Sequence, residues 1–216
     1  KIESNAINSL ASQINQNFTQ LCDSIISNKG KLIIMGVGKS GHIGQKISAT
    51  LSSTGTGSIF IHPTEAAHGD MGLIEKKDIV FLISNSGETD EIINILPSLK
   101  RSSYKLTSLT GNNKSTIALA SDISIVIESK EACPLDLAPT SSTTSALAFG
   151  DALAIATMKH RKFNKKDFKQ IHPAGSLGAQ LKTVEDIMLV GKKIPFVNLE
   201  LSMPKALKIL SDKKLG

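Results

Sequence analysis

Tryptophan is missing from this chain of 216 residues, and its aromatic side chains are only seven Phe and one Tyr. So few rings, with no helix-turn-helix or RNP-like pattern, leave no stacking platform for bases and set nucleic acid aside as a partner. A formal net charge of +6 argues the other way only until its placement is considered. Residues 1–158 hold 12 Lys and Arg against 14 Asp and Glu, whereas residues 159–216 hold 13 against 5. The positive charge belongs to the tail. Cysteine is almost as scarce: Cys22 and Cys133 stand far apart without metal-type spacing, which fits a reducing, cytoplasmic compartment. No base lies near Cys133 in sequence, so it reads as a small buried residue rather than a nucleophile. Long apolar runs are lacking too. The longest, SALAFGDALAIATM, is interrupted by Gly150 and Asp151 and is too short to span a membrane. The first residues show no basic stretch leading into an apolar one, as a secretion leader would.

What is present is ordinary globular composition, 40% hydrophobic and 20% charged, in a length that suits one domain plus a fragment. Ile7, Leu10, Ile14, Phe18, Leu21 and Ile25 recur at steps of three or four, which predicts one long amphipathic helix closed by Gly30. Five short apolar runs follow: LIIMGV (32–37), SIFIH (58–62), IVFLIS (79–84), KLTSLT (105–110) and ISIVIES (123–129). Nearly continuous apolar runs rich in Val and Ile, separated by helical or turn-rich segments, predict parallel strands covered on both sides. The expected fold is an α/β three-layer α/β/α sandwich around a five-stranded parallel sheet. In such sheets ligands bind beyond the carboxyl ends of the strands, so the residues after each run carry the most functional weight.

After the first run comes GVGKSG, in which Gly36, Gly38 and Gly41 match the G-x-G-x-x-G dinucleotide pattern. Its second half is missing, because the next run ends in His62 where a ribose-binding acid belongs. The phosphate loop of nucleotide hydrolases fails as well, since position 33 is Ile where a Gly is needed. Two readings stay open: an anion-holding turn at a helix N-terminus with Lys39 as its cation, or a tight strand-to-helix turn with a solvated Lys. After the third run, Ser84, Asn85, Ser86, Gly87, Glu88 and Thr89 offer three hydroxyls in six residues, with Gly87 freeing backbone N–H groups, before a helix start. A helix cap alone uses fewer; a cradle for a phosphate monoester accounts for all three.

The segments GVGKSGHIGQKISATLSSTGT, HPTEAAHGDMG, ISNSGETDE, KEACPLDLAPTSSTTSALAFGDALA and HPAGSLG together resemble the sugar isomerase (SIS) family, and within it the D-arabinose 5-phosphate isomerases. The resemblance runs from about residue 5 to the chain end. It implies interconversion of D-arabinose 5-phosphate and D-ribulose 5-phosphate through a cis-enediol, a reaction that needs acid/base groups and a stabiliser of enediolate charge. It also implies four catalytic positions, filled here by Lys39, Glu91, Glu131 and His172. In that reading Glu131 shuttles the carbon-bound proton, Lys39 stabilises the oxyanion, Glu91 orients it or acts as second acid/base, and His172 assists ring opening. Substrate contacts implied by resemblance, together with the hydroxyl loop, are Ser40, Gly55, Thr56, His68, Ser84, Asn85, Ser86, Gly87, Thr89 and Ser141. Ser141, Ser142, Thr143 and Thr144 otherwise read as caps of the following helix. The chemistry requires no cofactor and no metal; zinc at His62, with His68 and Glu65 nearby, would be incidental or inhibitory.

The domain reading is 1–181 for the SIS domain and 182–216 for the incomplete start of a CBS-domain pair, too short for its own core. The resemblance further implies a homo-oligomer, dimer or tetramer, whose site is completed by His172 of the partner subunit, and a place in synthesis of the eight-carbon sugar Kdo for lipopolysaccharide or capsule. Two alternatives remain open at this level: another SIS isomerase acting on hexulose or heptose phosphates, and a non-catalytic sugar-phosphate sensor.

Overall fold

The computed structural model describes residues 1–172 and 183–214, in two compact units, Lys1–Ile171 and His172–Gly216. The expected long N-terminal helix is two: α1 (Ile2–Gln13) and α2 (Gln16–Ser27). Between them Ile14 turns extended and the Asn15 side chain caps α2 by accepting from the Asn17 N–H at 2.9 Å. Apolar spacing continues across the break because both helices bury side chains in one core, α1 against α8 and α2 against α8 and β5, although Ile7 of the predicted face is exposed; periodicity alone therefore does not reveal the break. Nor does Gly30 close α2, which ends at Asn28. Gly30 is required where it stands because a Cβ there would collide with the backbone of Lys77 and Asp78.

Five strands form one wholly parallel sheet: β1 (Leu32–Gly36), β2 (Ser58–Phe60), β3 (Ile79–Ile83), β4 (Lys105–Thr110) and β5 (Ile123–Val126). Their order is β2-β1-β3-β4-β5. Four are shorter at their carboxyl ends than the apolar runs that predict them, since the last residues of those runs already leave the strand, whereas β4 matches its run. Neighbouring strand residues face opposite layers, as the period of two demands. Ile33, Met35, Val80 and Leu82 pack with α4 (Pro63–Ala67), α5 (Asp90–Ile93), α6 (Leu96–Ser102) and α7 (Thr116–Ala120) through Ala66, Ile92, Leu99 and Ile117. Leu32, Ile34, Ile79 and Phe81 pack on the other side with α1, α2, α3 (Gly38–Ser53) and α8 (Ser141–His160) through Leu10, Leu21, Ile47 and Phe149. Burial on both faces explains the unbroken apolar runs, and the three-layer α/β/α sandwich stands as expected.

The first unit closes with α9 (Lys165–Ile171), ten residues before the boundary that the sequence suggests. The intervening HPAGSLG loop lies outside the described residues beyond His172. In the second unit, helices Val184–Ile187 and Met203–Lys213 flank a 3-10 turn at Gly191–Lys193, and the Lys213 ammonium meets the Lys192 carbonyl. Phe196, Leu199, Met203 and Leu207 of this unit are exposed.

Candidate active site at the strand ends

After β1 the chain runs outward to β2 and then returns past β1 to β3. Where the connections diverge, between β1 and β3, no crossover covers the carboxyl ends, and a crevice opens. A cleft open to solvent lies there, with about 350 Å³ of empty space counted out to its mouth. Ser40 and Ile43 come to it from α3, Ile83 and Asn85 from the end of β3, Leu109 and Thr110 from β4. Ile127 follows β5, and Ser142, Thr143 and Ala146 come from the first turns of α8. The floor is apolar and the rim carries hydroxyls and an amide, the usual make-up of a small-molecule site.

The glycines of the first loop serve packing. A Cβ on Gly41 would stand 2.7 Å from the Gly36 carbonyl oxygen, so α3 can lie this close to β1 only with Gly there. Gly38 takes φ +57° to turn from strand into helix. The loop is therefore a tight strand-to-helix turn, and it presents Lys39 exposed in the first turn of α3, with no ion pair among the described residues. Ser40, one residue on, reaches the cleft.

The second loop is shaped from within. Ser84, buried at the end of β3, shares a hydrogen bond with the Thr89 hydroxyl at 2.8 Å and accepts the Gly87 N–H at 3.0 Å. Gly87 has φ +68°, and a Cβ there would strike the Ser115 side chain. Its N–H is thus turned inward rather than freed, contrary to the sequence expectation. Four donors of the neighbouring β4 connection hold the loop: Gly111 N–H and the Thr110 hydroxyl on the Asn85 carbonyl at 2.8 and 3.3 Å, Ile117 N–H on the Gly87 carbonyl at 3.1 Å, and Thr116 N–H on Glu88 Oε1 at 2.7 Å. Asn85 and Ser86 remain exposed on this rigid frame, and Glu91 is exposed in α5, which starts just after it. Because Gly36 pairs with Ile83 across the β1–β3 ladder, Lys39 and Glu91 leave from adjacent strand ends.

Glu131 occupies the third position. Its Oε2 accepts the Thr140 N–H at 2.7 Å, the Thr140 hydroxyl at 2.9 Å and the Ser141 N–H at 2.7 Å, while the Ser142 N–H lies 3.4 Å from both carboxylate oxygens. The carboxylate, rather than a Ser or Thr side chain, thus caps the N-terminus of α8, where its charge also suits the helix dipole. This corrects the reading of residues 141–144 as caps. Thr143 and Thr144 hydroxyls instead donate back to the Thr140 carbonyl at 2.8 and 2.9 Å, and Ser141, Ser142 and Ser145 hydroxyls are buried without a well-formed hydrogen bond among the described residues. Burial would raise the Glu131 pKa, but the donors that Ser142 and Thr140 set against it hold the carboxyl below its ordinary value. Glu131 is therefore ionised at neutral pH, with Oε1 the less engaged oxygen.

The remaining sequence candidates lie elsewhere. Gly55 and Thr56 sit at the amino ends of the strands, where Leu32 N–H donates to Gly57 at 2.9 Å, and the buried Thr56 hydroxyl bonds that of Thr157 at 3.3 Å. Within one chain they are at the opposite end of the sheet from the cleft. Ser141 is wholly buried behind the cleft wall, and Ser142 takes the lining position. His62 caps α4 by accepting the Thr64 N–H at 3.3 Å through Nδ1, and His68 is exposed at the end of that helix. No group of three His, Cys, Asp or Glu able to hold a metal occurs among the described residues. His172 belongs to the second unit. Cys133 is half-buried rather than buried, on the loop between Glu131 and α8. Thr143 and Ala146 were legible only as helix positions; their spacing from Ser142, one and four residues, is the signal that could have grouped them.

Comparison with known proteins agrees with this geometry. The SIS domain family model matches residues 25–156. Over the whole chain, the arabinose 5-phosphate isomerases KdsD of Pseudomonas aeruginosa and Escherichia coli K12 are 48% and 49% identical, with 67% and 66% of their own length covered. The chain thus spans about two thirds of the length of these curated relatives. Among solved structures, an Escherichia coli CFT073 protein in complex with arabinose 5-phosphate superposes with a TM-score of 0.77 at 45% identity, over 79% of this chain and 92% of that one. No helix among the described residues is long and apolar enough to cross a membrane. By sequence and by fold the chain belongs to the SIS-domain family, in the branch of the arabinose 5-phosphate isomerases.

Proposed function

We propose that this chain interconverts D-arabinose 5-phosphate and D-ribulose 5-phosphate by moving a proton between C1 and C2 through a cis-enediol. The observation that carries the reading is the cleft at the strand ends, with a rigid hydroxyl loop on one side and an ionised, helix-anchored carboxylate beside the other, in a chain that matches arabinose 5-phosphate isomerases throughout. The loop of Ser84, Asn85, Ser86, Gly87 and Thr89 takes the phosphate. Oε1 of Glu131 takes the carbon-bound proton and returns it to the neighbouring carbon, while Lys39 balances the charge that develops on the enediolate. Glu91 orients Lys39 or carries the second proton, and His172 assists ring opening.

The reaction requires no metal or redox cofactor, and zinc at His62, with His68 nearby, is incidental or inhibitory. The tail beginning near residue 182 is the start of a CBS-domain pair. The enzyme works in the cytoplasm as a homo-oligomer, dimer or tetramer, and supplies Kdo synthesis for lipopolysaccharide or capsule. A proton NMR time course with D-arabinose 5-phosphate in D₂O, with a chelator present, tests the activity. Appearance of ribulose 5-phosphate carrying deuterium at the exchanged carbon is expected. Binding of the sugar phosphate without conversion would replace the isomerase with a sensor.

A further inference from the structure

The first turns of α8 carry three serine hydroxyls that are buried without a well-formed hydrogen bond among the described residues, on Ser141, Ser142 and Ser145, the Ser142 hydroxyl standing near enough to Glu131 to help hold its carboxyl below the ordinary value. Leaving a hydroxyl unpaired away from water is costly, so such groups in a binding fold call for an explanation. Of the three, it is Ser142 that lines the cleft, with only 8% of its surface exposed. Its backbone N–H is directed to Glu131, 3.4 Å from either carboxylate oxygen, which fixes where the side chain starts. Asn85, on the phosphate loop, lines the same cleft. A ligand that fills the cleft therefore reaches from the hydroxyl loop after β3 to Ser142.

Which part of a sugar phosphate meets Ser142 follows from charge. A phosphate dianion next to the Glu131 carboxylate would be repelled; a neutral sugar oxygen would not. We propose that Ser142 is the hydroxyl by which the α8 wall holds the reacting end of the sugar phosphate, hydrogen-bonded to a sugar oxygen beside Glu131. This rests on the sugar-phosphate isomerase reading above and adds a residue to it. Ser142 keeps C1 and C2 within reach of Oε1, while the phosphate is held at the other end.

Calorimetric titration of the chain and of Ser142→Ala with D-arabinose 5-phosphate, and separately with inorganic phosphate, tests this, together with the melting temperature of each. Losing one hydrogen bond to a ligand is expected to weaken pentose phosphate binding about tenfold. Affinity for inorganic phosphate should stay unchanged. Because the hydroxyl makes no well-formed hydrogen bond within the chain, its removal should leave the melting temperature within a few degrees. Ser142→Cys, a weaker donor of similar size, should bind with intermediate affinity. Unchanged pentose phosphate affinity in both variants overturns the assignment, as does an equal loss for inorganic phosphate. So does a melting temperature that falls by more than a few degrees, the mark of a structural hydroxyl. If the unsubstituted chain binds inorganic phosphate but not the pentose phosphate, it is the isomerase reading that fails, and the Ser142 assignment falls with it.

Discussion

Glu131 shows how one side chain can serve fold and chemistry together. It closes the N-terminus of α8 with four donors, and those donors keep it ionised. Since its folded pKa lies below the unfolded one, its stabilising contribution is complete above the ordinary carboxylate pKa and is lost as pH falls through the folded value. Urea unfolding of the chain and of Glu131→Gln should therefore show a stability gap at pH 7 that narrows below about pH 4.3. A gap that stays constant with pH would mean that the charge contributes nothing. The same variant should lose turnover by about a hundredfold or more. The two cysteines diverge for equally local reasons. Burial, with the Asp23 charge beside it, pushes the Cys22 thiol up to about 11, whereas backbone N–H groups of Ala138, Leu137 and Leu135 lower that of Cys133. Iodoacetamide at pH 8 is expected to label Cys133 in the native chain, with Cys22 reacting only after unfolding, as peptide mass mapping would show. Sequence alone does not show this because the N–H groups gather around the thiol only once the loop is bent.

At the level of elements, strands and helices were largely legible, and their ends were not. The five apolar runs become five strands because both sheet faces are buried, but four of them continue past their strand where the chain turns to the site, while the β4 run ends with its strand. The break at Asn15 leaves no mark on the apolar spacing, since both helices bury side chains in the same core. The amino end of the sheet depends on a residue that no motif singles out. Asp78 is fully buried; it accepts the Lys31 N–H at 2.7 Å and the Glu75 N–H at 2.9 Å, and pairs with the Lys31 ammonium at 3.1 Å. Asp78→Ala would strip partners from two backbone N–H groups where β1 and β3 begin, so it should cost about 3 kcal/mol in chemical denaturation. A loss under about 1 kcal/mol would show that water replaces the carboxylate without penalty.

For the molecule as a whole, α8 joins the layers. Phe149 is wholly buried between Phe18 of α2, edge-to-face at 5.5 Å, and Phe81 of β3, stacked at 6.2 Å. Phe149→Ala should lower stability by about 3–5 kcal/mol and the melting temperature by on the order of 10 °C. The site shares that support, as Ser142, Thr143 and Ala146 stand on the N-terminal end of the same helix. The amino-acid sequence by itself determined the fold class, the crevice at the strand ends and the hydroxyl loop, because apolar period, turn residues and short motifs are written in neighbouring positions. Only the tertiary structure decided that Glu131 caps α8, that Ser142 rather than Ser141 faces the cleft, and that Gly55 and Thr56 stand at the other end of the sheet. Those facts depend on how loops bend and helices pack, from the Glu131 bonds nine to eleven residues along to the Thr56–Thr157 contact across the chain, and such pairings leave no periodic trace along it.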